Sequence, residues 1–171
     1  MDPITNPATP EAIFGKAAVT AAMADHIAIV GLKDFITDAK WDRKELTLTV
    51  APETIVAACE AAKAAGYNFL EDVTAVDWYP SDTPIAPRFQ ITYHMLSHAF
   101  KQRLRVISRL PEGASIASIT DVWPSANFYE REVFDLFGVP FTGHPRLTRI
   151  MMPDNWNGHP LRKDYPVEGY R

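Results

Sequence analysis

The feature that most constrains the fold is an alternation of apolar and polar residues with a period of two. In residues 88–95 the apolar members of this pattern are Phe89, Ile91, Tyr93 and Met95. A second segment follows within a few residues and includes Phe100, Gln102, Leu104 and Val106. The short connection Ser97-His98-Ala99 between the two segments indicates an antiparallel hairpin with one apolar face. The arginines of the second segment, Arg103, Arg105 and Arg109, then lie near a wet face or edge of the sheet.

Other segments predict strands and helices around this hairpin. Residues 45–50 alternate as a half-buried strand, and Pro52 opens an alanine-rich helix that Gly66 ends, with Cys59 on its buried stripe. Residues 69–79 are rich in β-branched and aromatic side chains and indicate another strand. A strong amphipathic helix is predicted over 124–137, stopped by Gly138 and Pro140.

The N-terminal part carries weaker signals. Thr9 is a good N-cap followed by Pro10, so a helix is predicted from there to about Met23. Residues 27–30 are read as a short strand, while the remainder of 26–40 alternates poorly. We expect residues 1–9 to be a flexible N-terminus and residues 10–142 to form one domain. Its fold class is α+β, with a mixed sheet containing the antiparallel hairpin and flanked by helices.

The C-terminal part differs in character. Prolines recur through it, at Pro145, Pro153, Pro160 and Pro166, and no periodic pattern follows residue 142. A segment of this length without secondary structure does not readily join a core. We therefore expect an extended C-terminal tail over residues 143–171 that docks on a partner.

Composition excludes several functional classes. The net charge of −4 argues against a nucleic-acid module built on the arginines of the hairpin. The longest apolar stretches fall far short of the roughly 20 residues that a membrane-spanning helix needs. The first ten residues do not resemble a secretory signal, and the single Cys59 cannot hold an iron–sulfur cluster alone, so a cytoplasmic location is expected. His94 and His98 fall in a strand-and-turn segment, where their spacing does not predict a metal site.

The most informative segment is the predicted helix before Gly138 and the residues just after it. On a helix, Asn127, Arg131 and Asp135 share one face, and Glu130 and Phe134 share an adjoining one. Such a face is a solvated surface, a docking surface, or the site of a free-standing acid/base enzyme using Glu130 and Asp135. These alternatives remain open from the spacing alone.

The string EREVFDLFG, followed by Gly138 to Gly143 and then His144, closely resembles a known signature. It is that of the 30 kDa-type subunit of respiratory complex I, which bacterial NADH-quinone oxidoreductases also contain. The positions that fit are Asp135, Leu136, Phe137, His144, Ile150 and Met151. Thr148 stands where the signature usually has Arg, Lys or Pro, and Arg149 follows it. Residues 158–166 resemble the tail motif of the same family.

The resemblance implies a structural subunit without chemistry of its own. Members bind no cofactor, since FMN, the iron–sulfur clusters and quinone are bound by partner subunits. They lie in the hydrophilic arm of a proton-translocating NADH:quinone oxidoreductase, against the 49 kDa-type quinone-site subunit, and near the small iron–sulfur subunit that holds the last cluster. The implied assembly is a hetero-oligomer, with this chain peripheral on the cytoplasmic side of the bacterial inner membrane.

The resemblance also implies which residues bind partners. No catalytic, cofactor-binding or metal-binding residue is expected. The predicted partner-binding residues are Glu130, Arg131, Glu132, Phe134, Asp135, His144, Arg149, Trp156, His159, Arg162, Lys163, Asp164 and Tyr165. An alternative is the equivalent subunit of a related membrane-bound hydrogenase or other donor:quinone oxidoreductase.

Overall fold

A computed structural model describes residues 12–79, 87–166 and 168 of the protein. The strands are β1 (Ala12–Phe14), β2 (Ile36–Asp42), β3 (Glu45–Val50), β4 (Phe69–Asp77), β5 (Phe89–Ser97), β6 (Gln102–Leu110), β7 (Ile116–Ala117) and β8 (Phe141–Thr142). The helices are α1 (Lys16–Ala22), α2 (Ile27–Leu32), α3 (Ile55–Ala64) and α4 (Ala126–Phe137), with a 3-10 turn at Pro52–Thr54 before α3.

Six strands form one sheet in the order β1-β2-β3-β6-β5-β4. Neighbouring strands are antiparallel except β3 and β6, which are parallel, so the sheet is mixed. The predicted α+β class, with a mixed sheet flanked by helices, is confirmed. β7 and β8 form a separate small parallel pair.

The β5–β6 hairpin is confirmed, with a register that runs from Phe89 opposite Leu110 to Ser97 opposite Gln102. Its turn is longer than predicted, because Phe100 lies in the connection and is exposed instead of continuing the buried alternation. The buried face of β5 carries Tyr93 and Met95, which belong to the same core cluster as Cys59 of α3. Successive strand residues point to opposite faces, so polar residues of β5 and β6 line the other side of the sheet.

Two N-terminal predictions are wrong. The part of the predicted helix from residue 12 onward begins with strand β1, which pairs with β2, and α1 starts only after Gly15 (φ 91). The start of that predicted helix, at Thr9, lies outside the described residues. Residues 27–30, read as a strand, belong to helix α2, whose first turn is capped where the His26 ring accepts a hydrogen bond from the Ala28 N–H.

Strand β2 escaped the sequence pattern because of a register irregularity between Ile36 and Asp38. Ile36 and Ala39 are its buried apolar residues, and their spacing of three breaks the expected period of two. A bulge of this kind shifts the side chains that follow it to the other face of the sheet.

Helix α4 and its termination are confirmed. Ala126, Val133 and Phe137 are buried on its core side, and it packs against the edge strand β4. Gly138 ends the helix in the left-handed region at φ 71, a conformation that glycine adopts without a Cβ penalty.

The tail after β8 has no helix or strand among its described residues, as predicted. It does not project away from the domain, because a series of hydrogen bonds returns it to α4 and to the sheet. No helix within the described part of the chain is long and apolar enough to span a bilayer.

Candidate functional site

Asp135 is the centre of the contacts between α4 and the tail. Its side chain is 0% exposed, and Oδ2 accepts hydrogen bonds from the backbone N–H groups of Ile150, Met151 and Met152 at 2.9, 2.8 and 2.9 Å. Oδ1 accepts from Arg149 Nη1 at 2.6 Å. Three successive N–H groups around one anion form an anion-binding nest. We call Arg131, Asp135 and the loop 148–152 that they hold the tail clamp.

The charge state of Asp135 follows from these contacts. Burial raises the pKa of its carboxyl, but the three N–H donors and Arg149 stabilise the ionised form. The net result is a pKa below the usual range, so Asp135 is a carboxylate at neutral pH. An ionised group accepting this many hydrogen bonds stabilises the loop strongly and in one orientation.

Arg131 holds the same loop from one turn earlier on α4. It donates from Nε to the Thr148 carbonyl and from Nη2 to the Arg149 carbonyl, each at 3.0 Å. The residue at 148 is therefore recognised through its backbone. Thr148 makes this contact as well as the Arg, Lys or Pro of the family pattern would.

A second group of contacts ties the tail to the C-terminal end of α4. His159 Nδ1 donates to the Asp135 carbonyl at 2.9 Å, the Leu161 N–H to the Leu136 carbonyl at 3.0 Å, and Arg162 Nε to the Phe137 carbonyl at 2.6 Å. The last carbonyls of a helix have no partner within the helix. The tail supplies those partners, and cations there also complement the helix dipole.

Gly138 fits this close approach of the tail. A Cβ at this position would lie 2.5 Å from the His159 ring and 2.8 Å from Arg162 Nη2, in addition to the strain of a positive φ. Glycine is thus required both by the end of the helix and by the tail that packs over it.

A third group of contacts anchors the end of the tail to the sheet. Arg88, only 8% exposed, forms a bidentate pair with Asp77 at 2.8 and 2.9 Å and also contacts Asp164 at 2.8 Å and Glu112 at 2.9 Å. The Lys163 N–H donates to Asp77 Oδ2 at 2.9 Å. The Arg88 guanidinium thereby joins the ends of β4 and β5 to the tail.

Glu130 points away from the tail, into the protein. Its Oε2 accepts from the Ser118 hydroxyl at 2.6 Å and its Oε1 from the Ile119 N–H at 2.7 Å, and the side chain is 0% exposed. Burial raises the pKa of this carboxyl to about 7, although the Ser118 and Ile119 donors act in the opposite direction. Glu130 therefore fixes the loop before α4 and changes its charge near neutral pH.

This raised pKa predicts a pH-dependent stability that Glu130→Gln removes. In the folded protein Glu130 binds its proton up to about pH 7, whereas in the unfolded chain it loses the proton near 4.5. The folded state thus binds more protons between these values, and the free energy of unfolding falls as pH rises through this window, by about 3 kcal/mol. Glutamine keeps the acceptor for the Ile119 N–H but cannot ionise.

Urea unfolding at intervals from pH 5 to 8 measures this effect as the difference between the wild type and Glu130→Gln. Contributions from histidines are common to both proteins and cancel. Glu132→Gln, on the exposed side of α4, is the matched control and is expected to follow the wild type. Parallel curves for the wild type and Glu130→Gln would contradict the assignment.

The remaining predicted residues occupy the periphery of the clamp. His144 is half-buried, with its Nε2 3.2 Å from the Asn127 carbonyl, and the Phe134 ring lies edge-on to His159 with centroids 6.5 Å apart. Trp156 is 39% exposed, and Tyr165 is half-buried. The structure thus brings Arg131, Asp135, Arg149, His159 and Arg162 together, and it separates Glu130 and Glu132 from them. Whether any of these residues also contacts a partner stays a prediction.

Sequence reasoning missed Asp77, Arg88 and Ser118. Asp77 ends the buried alternation of β4 at a position where an apolar residue is expected, which signals a paired buried charge. Arg88 stands at the start of the next predicted strand and is its natural counterion. Ser118 carries no comparable signal, because its contact with Glu130 depends on how the loop before α4 folds.

The tail presents large apolar side chains outward while its backbone is held. Ile150 is 39% exposed, Met151 61% and Leu161 50%. The N–H groups of Ile150 and Met151 are bound by Asp135, so the loop is fixed while these side chains reach solvent. Ordered apolar groups on a surface are typical of a protein–protein contact.

Comparisons with known proteins agree with this architecture. The family profile described as "Respiratory-chain NADH dehydrogenase, 30 Kd subunit" matches residues 48–171. Proteins named as the C-type subunit of NADH-quinone oxidoreductase are similar to this chain. The one from Geobacter metallireducens is 48% identical over 136 residues, covering 78% of this chain and 82% of the relative. The one from Roseiflexus castenholzii is 41% identical over 155 residues, covering 88% and 82%.

Two solved structures share the fold. The trypsin-resistant fragment 1–134 of Nqo5 has a TM-score of 0.57 and 36% identity, covering 60% of this chain and 83% of that one. A chain of the membrane-bound sulfane sulfur reductase, an archaeal respiratory membrane complex, has a TM-score of 0.71 and 25% identity, covering 84% and 86%. The profile match includes β3 to β6, α4 and the whole clamped tail. The chain therefore belongs to the family of the 30 kDa subunit of respiratory-chain NADH dehydrogenase.

Proposed function

We propose that this chain is a non-catalytic structural subunit of the hydrophilic arm of a proton-translocating NADH:quinone oxidoreductase. In this role it holds the 49 kDa-type quinone-site subunit in place, together with the terminal iron–sulfur subunit, while electrons pass from NADH to quinone. FMN, the iron–sulfur clusters and quinone are bound by partner subunits. The chain lies peripherally on the cytoplasmic side of the bacterial inner membrane. Family membership and the names of the relatives support this proposal.

The observation that carries the structural role is the tail clamp. Asp135 and Arg131 use their hydrogen-bonding capacity to order a loop of the same chain, and this loop exposes Ile150 and Met151. A partner that binds an ordered loop does not lose the entropy of ordering it. Apolar side chains on a fixed backbone are thus suited to a permanent contact, in which a few buried anchors contribute most of the binding energy.

The geometry favours this role over acid/base chemistry. Both oxygens of Asp135 and both oxygens of Glu130 already accept hydrogen bonds from groups of this chain. Glu130 has a pKa suited to proton transfer, but its carboxyl is buried against Ser118 and Ile119. A general base must come within hydrogen-bonding distance of its substrate. For either carboxylate this would require breaking the contacts that hold α4 in place.

A second candidate is the equivalent subunit of a related membrane-bound complex with another electron donor. The similarity in fold to a chain of the membrane-bound sulfane sulfur reductase favours keeping it. Both candidates give the chain the same positional role. They differ in the donor that the purified assembly oxidises, and assaying NADH and hydrogen separately with quinone as acceptor distinguishes them.

The proposal is tested by replacing the exposed apolar residues. In the double variant Met151→Glu/Trp156→Glu, the isolated chain is expected to keep the unfolding midpoint of the wild type. When expressed in place of the wild type, it should no longer co-purify with the detergent-solubilised assembly, and NADH:quinone activity of the membranes should fall at least about tenfold, since charges at a buried contact cost several kcal/mol. Val30→Glu, at an equally exposed apolar position on α2, is the matched control.

Two results would overturn the proposal. Normal assembly and activity of the double variant would show that the tail surface is not a contact. Turnover of NADH with quinone by the isolated chain would contradict the non-catalytic role.

A further inference from the structure

A groove crosses the open face of the sheet, on the side opposite the core. It has a volume of about 490 Å³ and extends over β2, β3, β6 and β5. Its charged lining consists of Lys40, Asp42, Arg43, Glu45, Arg105 and Arg109. None of these residues takes part in the tail clamp, so the groove is a separate feature of the molecule.

The groove is basic although the chain as a whole is acidic. Its lining contains four cations and two carboxylates, whereas the net charge of the chain is −4. Lys40 pairs with Asp42 at 2.8 Å and Arg105 with Glu45 at 2.5 Å. Among the described residues, the ion pairs include neither Arg43 nor Arg109. These two cations give the groove its positive excess.

The turn between β2 and β3 keeps its cations at a cost in backbone strain. Arg43 and Lys44 have φ values of 52 and 64, the geometry of a type I′ turn that Asn-Gly adopts far more readily. Residues other than glycine in this region cost of the order of 1–2 kcal/mol each. Strain of this kind accumulates at sites that bind something. The cationic side chains at this turn thus point to a role beyond closing the hairpin.

The unpaired cations lie at the two ends of the groove. Thr49 of β3 is level with Ile107 of β6, so Arg109 lies just beyond the end of β3, while Arg43 lies just before its start. The separation along the strands is six to seven residues, or about 20 Å at 3.3 Å per residue. One phosphate or one carboxylate cannot contact both ends, whereas an extended peptide of that length can.

We propose that this groove binds an extended acidic segment of a neighbouring subunit. Its carboxylates pair with Arg43 and Arg109 at the ends and compete with Asp42 and Glu45 for Lys40 and Arg105 between them. Arginine binds carboxylates in a bidentate manner, which sets the register of the segment. A membrane surface or a nucleic acid presents an array of phosphates to the whole acidic chain and is repelled by it. A segment narrow enough to enter the groove meets only the local excess of positive charge.

This inference rests on the proposed function, because it requires that the chain reside in an assembly. Its first test places a photo-crosslinking amino acid at Gln90, an uncharged lining residue, in the chain expressed within the native assembly. After irradiation, the crosslinked peptide is identified by mass spectrometry. We expect a peptide rich in Asp and Glu from another subunit, and no such crosslink from the same amino acid at Lys33 on the helical side of the sheet.

The second test reverses the two unpaired charges. Arg43→Glu/Arg109→Glu is expected to lower, by about threefold, the NaCl concentration at which the chain dissociates from the solubilised assembly, because surface charge pairs are screened by salt. Arg103→Glu is the matched control. It lies on the same strand, is 68% exposed and pairs with Glu71 outside the groove. The unfolding midpoint of each isolated chain is measured in parallel.

The outcomes separate the two proposals. If the wild-type chain does not co-purify with a membrane assembly, the proposed function fails. If it co-purifies, but the Gln90 crosslink reaches only lipid, nucleic acid, this same chain or a segment without acidic residues, the groove inference fails. Equal salt sensitivity of the double variant and Arg103→Glu also overturns it.

Discussion

Replacement of Asp135 by alanine is expected to destabilise the protein by about 3–5 kcal/mol, because it removes one partner of a buried charge network and strands the others. Arg149, at 17% side-chain exposure, loses its counterion, and the N–H groups of residues 150–152 lose their acceptor. The loop 148–152 then has only Arg131 to hold it. We expect it to become mobile even where the sheet remains folded.

Two measurements check this result. Urea unfolding gives the loss of stability, and trypsin cleavage after Arg149 reports release of the loop, which should become at least about tenfold faster in Asp135→Ala, since cleavage follows the population of the open form. Asp135→Asn, which keeps the shape but not the charge, should fall between the two proteins. Glu132→Ala on the exposed side of the same helix is the control. An Asp135→Ala protein with normal stability and normal resistance to trypsin would show that the clamp does not hold the tail.

Replacement of Arg88 by methionine is expected to cost a similar 3–5 kcal/mol for a different reason. Methionine fills much of the space of the arginine stem, so the main loss is the counterion of Asp77, whose side chain is 0% exposed. Burial raises the pKa of the Asp77 carboxyl, but Arg88 and the Lys163 and Tyr79 N–H groups outweigh this and hold it below the usual range. Without Arg88 the burial effect dominates, and Asp77 should take up a proton at a higher pH than in the wild type.

A double variant identifies the stranded charge as the cause. Asp77→Asn/Arg88→Met removes the charge together with its counterion and is expected to recover about half of the loss, as buried ion pairs often tolerate joint replacement by neutral groups. Urea unfolding at pH 7 of the two single variants and the double variant forms a complete cycle. Additive losses in that cycle would mean that Arg88 acts through Asp164 and Glu112 and not through Asp77.

The sequence predicted the elements whose residues repeat regularly. The stripe of α4, its end at Gly138 and the alternation of β5 and β6 depend on neighbours within a few positions, so they are visible in the string itself. Strand β2 was missed because a bulge broke its period. Strand β1 is held by pairing with β2, a contact between residues such as Ala12 and Asp42 that no local pattern encodes.

The candidate site was predicted in its residues but not in its arrangement. The resemblance identified Arg131, Asp135 and Arg149 as important, and the helical spacing placed the first two correctly on one face. Nothing local reveals that residues 149–152 return to cover that face, because an irregular segment has no periodicity from which its path can be inferred. The same limit hid Arg88, whose partner Asp164 is 76 residues away.

The position of the clamp in the chain bears on how the protein is made. Helix α4 precedes the loop that it binds, so during synthesis the Asp135 carboxylate emerges from the ribosome before residues 150–152, which later surround it. A truncated product ending near residue 142 would retain the complete six-stranded sheet yet lack the contact surface. Its Asp135 would be an exposed, unneutralised anion. Such an incomplete chain would fold without being able to enter an assembly, so the cell can discard it before a defective enzyme forms.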